Sequence, residues 1–156
     1  VLGMDIAKNT TLIALNKVMK LNVISQALEV RVAEEITTKM KLKAPNLDIE
    51  VGKLSGGNQQ KVVLSKWIMN NPKLLILDEP TRGIDVGAKY EIYKIMNELV
   101  QQGVGIVLIS SELPEVLGMS DRILVMCEGK ITGEFTREEA TQEKVMMCAT
   151  GGEKRD

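Results

Sequence analysis

Leu74-Leu-Ile-Leu-Asp78-Glu79 is a short apolar run that ends in two adjacent carboxylates. A continuous apolar run of this length is typical of a parallel strand that is buried on both faces. A helical pattern follows at about residues 86–102, with Gly103 as its stop signal, and a second apolar run covers residues 106–109. The order strand, helix, strand predicts a βαβ unit and therefore an α/β fold with a parallel sheet.

The chain before this unit has a helical pattern. The pattern is helical between about residues 9 and 43. From Leu28 to Met40 apolar side chains recur at every fourth position, after a possible N-cap at Ser25. A second helix should begin after Ser55 and end before Pro72, and no strand is predicted before residue 46. The helix faces expected to point inward carry Leu28, Val32, Ile36 and Met40 in the first helix, Val63, Leu64, Trp67 and Ile68 in the second, and Ile92, Ile95, Met96, Leu99 and Val100 in the helix of the βαβ unit.

The chain after this unit is predicted to contain a short helix and a hairpin. The helix covers about residues 113–117, and the strands 122–126 and 130–135 pair around the turn Glu128-Gly129. An amphipathic helix at about residues 137–148 follows, and residues 151–156 form a frayed tail.

Composition excludes several classes of function. The 156 residues are 44% hydrophobic and 26% charged, with a net charge of −1, which argues against a strongly basic nucleic-acid binder. The absence of histidine from the sequence excludes Ser-His-Asp and Cys-His catalysis and His-ligated zinc. Cys127 and Cys148 are far apart and are expected to be reduced thiols. No apolar run reaches the ~18 residues that a membrane helix needs.

The two carboxylates after the first apolar run form the first candidate site. The carboxyl end of a buried strand lies at the sheet edge where α/β proteins bind ligands. Asp78 is placed to hold Mg²⁺, and Glu79 to polarise an attacking water. The alternative is a strand that leaves the core through a solvated acidic turn.

Leu54-Ser-Gly-Gly-Asn-Gln-Gln-Lys61 is the second candidate site. Ser55 can cap the coming helix, while Gly56 and Gly57 let backbone N–H groups approach a ligand. The positive end of the helix dipole favours an anion such as phosphate at this point. The alternative is an ordinary glycine turn with a serine cap.

In this order and spacing, the two segments resemble motifs of the ATP-binding subunits of ABC transporters. LSGGNQQKV is similar to their signature motif, LLILDE to the Walker B strand, and the stretch from Thr81 to Asp85 to the loop that follows. The resemblance runs from at least Val51 to about Phe135. LSGGNQQKV with DEPTRGIDVGAK resembles the second ATPase half of bacterial monosaccharide importers (ribose, galactose or xylose type), and GEFTREEATQEKV is most similar to the ribose-import branch.

The resemblance implies roles for individual residues. In this family each ATP is sandwiched between two ATPase domains, one of which supplies the signature motif to ATP held by the other. The resemblance implies that the signature residues contact ATP held by a partner domain. It also implies that Asp78 is the carboxylate that binds Mg²⁺ and that Glu79 is the catalytic base. Gly83 and Asp85 map to the loop that communicates across the domain pair. The signature residues so assigned are Ser55, Gly56, Gly57, Asn58 and Gln59.

Two departures from the family pattern change the expectation. No G-x-x-x-x-G-K-S/T phosphate loop (Walker A) occurs in the sequence. We therefore expect the C-terminal part of a P-loop ATPase core, with a helical subdomain at residues 1–71 and the core portion at 72–156. Apolar sheet surface that normally meets the missing strands should be exposed or paired.

Ser111 also stands where the family has a histidine, and a serine cannot carry positive charge beside the leaving phosphate. Hydrolysis at this domain's own site should therefore be weak.

The resemblance predicts an energy-coupling fragment of a sugar importer that is inactive on its own. Its expected partners are a second ATPase domain, transmembrane permease subunits and, indirectly, an extracytoplasmic sugar-binding protein. The expected location is the cytoplasmic face of the plasma membrane, with ATP and Mg²⁺ bound in the full-length protein. The alternatives are a non-catalytic interaction module that completes a partner's site, and an ABC-type ATPase of a non-transport system.

Overall fold

The computed structural model describes residues 1–152, which form six α-helices and six strands. The helices are α1 Ile6–Thr11, α2 Gln26–Lys39, α3 Gly56–Ile68, α4 Val86–Gln101, α5 Leu113–Met119 and α6 Gln142–Ala149, and 3₁₀ turns cover Leu15–Lys17 and Val51–Lys53. The strands are β1 Met19–Lys20, β2 Val23–Ile24, β3 Leu74–Asp78, β4 Gly105–Ile109, β5 Arg122–Cys127 and β6 Lys130–Thr136.

Contacts divide the chain into two compact units. The first unit comprises Val1–Ile76 and Pro80–Val107, and the second comprises Leu77–Glu79 with the chain from Leu108 onward. The predicted subdivision between residues 71 and 72 refers to the family's subdomains and stays a prediction.

Strands β3 and β4 are hydrogen-bonded neighbours, with α4 between them in the chain. The Gly105 N–H donates to the Lys73 carbonyl and the Glu79 N–H donates to the Ile109 carbonyl, both at 2.9 Å. Residue numbers rise together in the two contacts, so the strands run parallel and the predicted βαβ unit is confirmed.

Burial of β3 on both faces was a wrong expectation. Leu75 and Leu77 are buried, whereas Leu74 and Ile76 are 56% and 62% exposed. Side chains alternate across a strand, and the described residues cover only one face of this one. Val107 and Ile109 of β4 are also exposed. The expectation of exposed apolar sheet surface is therefore met.

Helix α2 confirms the helix predicted after Ser25 but buries a different stripe, and the helical pattern expected from about residue 9 is interrupted between α1 and α2 by a 3₁₀ turn and two short strands. Its buried side chains are Glu29, Ala33 and Thr37, at every fourth position. Leu28, Val32 and Ile36 are only half-buried, and of the predicted set Met40 alone is buried. Thr11 of α1 explains the buried carboxylate, since its Oγ1 donates to Glu29 Oε1 at 2.8 Å. The buried stripe of α2 thus includes a polar contact with α1 and is not its most apolar face.

A two-residue-per-strand hairpin, β1–β2, contradicts the expectation of no strand before residue 46. Leu21 and Asn22 form its turn with φ of 50° and 63°. Positive φ at both central positions is the geometry of a tight hairpin turn, in which Asn is favoured. Leu21 is an unusual residue there and concealed the turn in the sequence.

Helices α3 and α4 were placed correctly, but three residues of their expected inner faces are exposed. Leu64 is buried, whereas Val63 and Trp67 are 43% and 52% exposed. On α4 the inner face is confirmed except for Val100, which is 49% exposed. The α3 face that is buried includes Gly57, Lys61 and Ser65, a row that apolar periodicity does not indicate.

The second unit confirms the predicted hairpin. Strands β5 and β6 pair antiparallel around Glu128 and Gly129, which have φ of 48° and 78°. Helix α6 begins at Gln142 rather than near residue 137, because Thr141 Oγ1 accepts from the Lys144 N–H at 3.3 Å as its N-cap. The hairpin and α6 share a core, and its buried members are Ile123, Val125, Phe135, Val145 and Cys148.

Two remaining expectations concern the cysteines and the tail. Both cysteines are free thiols, with Cys148 buried and Cys127 half-buried. The predicted tail falls in part on residues 153–156, which lie outside the described residues. Among residues 1–152, every helix is too short or too polar to cross a membrane.

Candidate functional site

The amino-terminal end of α3 carries the signature segment, Leu54–Lys61, and is open to solvent. Ser55 is the N-cap, and its side chain makes no hydrogen bond to the first turn of the helix. Ser55 and Gly56 are both exposed, and the first turn contains no acidic residue. Because the first N–H groups of a helix have no partner within it, this end offers donors and a positive dipole to an anion.

The side chains of Asn58 and Gln59 form hydrogen bonds that stabilise the conformation of the signature segment. Asn58 Nδ2 donates to Ser55 Oγ at 3.0 Å, and Asn58 Oδ1 accepts from the Lys43 N–H at 3.0 Å. Gln59 Nε2 donates to the Leu54 carbonyl at 3.0 Å. Since Ser55 Oγ accepts from Asn58, its hydroxyl hydrogen is directed elsewhere and can be donated to a ligand.

The two glycines of the segment meet different neighbours. A Cβ on Gly57 would lie 2.5 Å from Ala88 Cβ on α4, a separation that two carbon atoms cannot adopt. A Cβ on Gly56 would lie 3.1 Å from Ile84 Cγ2, which is a tighter contact than usual but not a forbidden one. Gly57 is therefore required by the packing of α3 against α4, in addition to any role in ligand approach.

The loop before α4 lies against this segment. Gly83 has φ of 73°, a conformation that glycine adopts without strain, and its carbonyl is 3.7 Å from the position of a Gly56 Cβ. Asp85 caps α4, because its Oδ1 accepts from the Ala88 N–H at 2.9 Å. A carboxylate thus compensates the positive end of α4, whereas the end of α3 has only the neutral Ser55.

An ion pair between a buried lysine and a partly exposed glutamate joins α3 to α4. Lys61 is 1% exposed, and its Nζ lies 2.7 Å from Glu91 Oε2. The hydrogen bonds from Lys61 and from Lys43 hold the pKa of Glu91 below its usual value of 4.5. Sequence reasoning missed this pair because lysine is almost always exposed. The only available signal was its register, four residues after Gly57.

In the second unit, the structure brings Glu79 and Ser111 together. Glu79 has φ of 47°, a left-handed conformation that a non-glycine residue adopts only when its surroundings impose it. The Glu79 N–H donates to the Ile109 carbonyl, and the Ser111 N–H donates to Glu79 Oε1, both at 2.9 Å. The contact uses the backbone of Ser111, and the sequence had indicated only its side chain.

Asp78, the predicted magnesium ligand, is an exposed single carboxylate at the end of β3. Residues 1–152 contain no group of three or more acidic or cysteine side chains that could hold a metal ion alone. Mg²⁺ is commonly bound by one or two carboxylates together with substrate phosphates. Asp78 therefore fits an ion that arrives with a nucleotide and does not fit a metal site formed by protein alone.

Residues 4–82 match the family model described as "ABC transporter". The match contains the signature segment and the two carboxylates Asp78 and Glu79 at the end of β3. The chain belongs to the ABC transporter family, as the motif resemblance predicted.

Two curated relatives import sugars according to their names. The chain is 78% identical over 152 residues to the xylose import ATP-binding protein XylG of Geobacillus kaustophilus, covering 97% of this chain and 30% of the relative. It is 58% identical over 147 residues to the ribose import ATP-binding protein RbsA of Caldanaerobacter subterraneus subsp. tengcongensis, covering 94% and 30%. The chain thus spans about a third of the length of these relatives.

A solved ATP-binding cassette of an ABC transporter, in its ADP conformation, has the same fold. The TM-score is 0.73 at 28% identity, over 96% of this chain and 63% of that one. The predicted fold class, a partial ABC ATPase core with an α/β sheet, is confirmed.

Proposed function

We propose that this chain is part of the ATP-hydrolysing subunit of a sugar ABC importer and donates its signature segment to ATP held by a partner ATPase domain. One observation carries the proposal. The end of α3 is exposed and without a compensating acid, and the Ser55 hydroxyl is not used to cap the helix. It is therefore a site for a terminal phosphate that comes from outside the chain.

The chemistry divides between the two units. Ser55 O–H and the first amides of α3 would donate to the γ-phosphate in the partner's site and stabilise the charge that develops there. Glu79 would orient water at the chain's own site, because a carboxylate oxygen that already accepts the Ser111 N–H can still accept from water. Mg²⁺, held by Asp78 and the nucleotide, would neutralise phosphate charge.

The names and lengths of the relatives support the wider assignment. Both relatives are sugar import ATP-binding proteins and are about three times longer than this chain. We propose that the chain corresponds to their C-terminal ATPase half and works with permease subunits at the cytoplasmic face of the membrane. An extracytoplasmic sugar-binding protein would act indirectly. The chain is 78% and 64% identical to two xylose import ATP-binding proteins and 58% identical to the ribose one, and these values favour a xylose-type importer over the ribose branch indicated by GEFTREEATQEKV.

Ser55→Ala in the intact transporter tests the proposal. We expect hydrolysis to fall by about tenfold or more, because a donor to the transition-state charge is lost. Ser25→Ala is a matched control, since Ser25 is also an N-cap without a side-chain capping bond but lies outside the signature segment. Equal activity of the two variants would contradict the proposal.

The loss of a histidine at residue 111 suggests an asymmetric pair of sites. We expect Glu79→Gln to leave much of the sugar-stimulated hydrolysis, because Glu79 serves this chain's own weak site. Ser55→Ala should remove most of it, because Ser55 acts on the partner's ATP. An equal loss from both changes would contradict the asymmetry.

The proposed alternative is a non-catalytic interaction module. Both readings predict no turnover by the isolated chain, because its sequence has no phosphate loop. They differ in the intact protein, where an interaction module predicts full activity of Glu79→Gln and an importer ATPase predicts at least a partial loss.

A further inference from the structure

Lys61 is an unusual residue to find in the interior of this unit. Its Nζ donates to Glu91 Oε2 at 2.7 Å and to the Lys41 carbonyl at 2.8 Å. It therefore joins α3, α4 and the segment that follows α2. An ion pair with one partner 41% exposed contributes only modest net stability, since solvent screens part of the attraction. The pair instead fixes the relative positions of the elements that it joins.

The contacts of this pair continue to the proposed phosphate donor. Glu91 Oε1 accepts from Lys43 Nζ at 3.2 Å, and the Lys43 N–H donates to Asn58 Oδ1 at 3.0 Å. Asn58 in turn donates to Ser55 Oγ at 3.0 Å. Glu91 and Ser55 are thus linked through Lys43, whose exposed side chain binds Glu91 and whose backbone N–H binds Asn58.

The pair also sets the separation of α3 and α4. Gly57 faces Ala88 and, one turn further along both helices, Lys61 faces Glu91. The first contact is steric and sets how closely the helices approach. The second is directional and sets their register.

We propose that Lys61 and Glu91 are positioning residues, which hold the signature segment against the loop before α4 and orient Ser55 toward the phosphate. The inference rests on the proposed function. Neither residue touches the substrate, so both act through the placement of Ser55. Small displacements of a phosphate donor lower the rate of the chemical step, whereas nucleotide affinity depends mainly on contacts elsewhere.

The test compares Lys61→Met, Glu91→Gln and the double variant in the intact transporter. We expect each single change to lower kcat by about tenfold, with KM for ATP within about twofold of the unchanged protein. The kcat of the double variant should be no lower than that of the less active single variant, because both changes break the same link. Lys61→Arg, which keeps the charge and both donors, should recover part of kcat.

Glu98→Gln is the matched control. Lys41 and Glu98 form an exposed ion pair at 3.2 Å between the same segment and the same helix. Its loss should leave kcat unchanged.

Thermal unfolding separates orientation from folding. All rates are measured at a temperature where each variant is folded, and Glu91→Gln alone carries the test if Lys61→Met does not fold. Folded variants with unchanged kcat, or losses that multiply in the double variant, would overturn the inference. Ser55→Ala serves as the reference: if it also has no effect, the proposed function fails, and if it alone lowers the rate, only the positioning role fails.

Discussion

Glu79 Oε1 accepts a hydrogen bond from the main-chain N–H of Ser111 at 2.9 Å. The donor belongs to the backbone, so the contact survives any substitution at residue 111 that keeps an amide hydrogen. The side chain of Ser111 is exposed and is not needed for it. The orientation of Glu79 and the identity of residue 111 are thus separable by mutation.

Substitution of Ser111 tests this separation. Ser111→Ala should change hydrolysis by less than about twofold, because the amide contact with Glu79 remains. Ser111→His should raise hydrolysis most strongly below a pH of about 6.5, where an imidazolium can carry positive charge beside the leaving phosphate. Rate–pH profiles of the intact transporter provide the measurement. An increase that is the same at pH 6 and pH 8 would show that charge is not the cause.

The contact between Gly57 and Ala88 predicts a rescue. Gly57→Ala should destabilise the fold by about 1–3 kcal/mol, because the added methyl group overpacks α3 against α4. Ala88→Gly in the same chain should remove the overlap and recover the part of the loss that exceeds about 1 kcal/mol, the cost of glycine at helical position 88. Urea unfolding measures both changes.

Gly118 of α5 supplies the control for this rescue. It is also helical, but a Cβ there would have no atom within 4 Å. Gly118→Ala should therefore be neutral or stabilise by about 0.5 kcal/mol. A Gly57→Ala variant as stable as Gly118→Ala would contradict the packing argument.

Asp85 combines a capping role with its proposed role across the domain pair. Asp85→Ala should lower stability by about 1 kcal/mol, because the Ala88 N–H loses its acceptor. Asp85→Asn keeps a capping oxygen and should lose less stability. Denaturation curves measure the capping effect, and hydrolysis by the folded Asp85→Asn variant reports the remaining role. A loss of activity proportional to the loss of folded protein would leave capping as the whole explanation.

The lowered pKa of Glu91 gives a pH dependence of stability with a defined sign. The folded state favours the charged carboxylate, so its contribution is fully present above pH 4.5 and is lost as the pH falls through the lowered pKa. Glu91→Gln should therefore destabilise the protein by about 1 kcal/mol at pH 7, a low value because Glu91 is partly exposed, and by less in acid.

Urea unfolding at pH 7 and at pH 3 measures this dependence. Glu35→Gln is the control, because its pair with Lys39 is exposed on both sides and should contribute little at either pH. A destabilisation by Glu91→Gln that grows as the pH falls would contradict the assignment of the charge.

Local sequence patterns predicted the parts of the fold that depend on neighbouring residues. The βαβ order, the Glu128-Gly129 hairpin and the helix after Ser55 follow from apolar runs, glycines and caps within a few residues of each other. The same patterns failed where a distant partner decides. Val63 and Trp67 are apolar but exposed, and α2 turns toward a polar contact between Thr11 and Glu29.

The sequence by itself determined the family, through the signature segment, the acidic end of β3 and their spacing. These motifs are continuous stretches of chain, whose chemistry can be inferred before the chain is folded. Only the tertiary structure decided what the motif residues contact. Gly57 meets Ala88, Lys61 meets Glu91, and Glu79 meets the amide of Ser111. Each pair is separated by thirty or more residues, so its distance depends on how whole helices and strands pack, which no local pattern records.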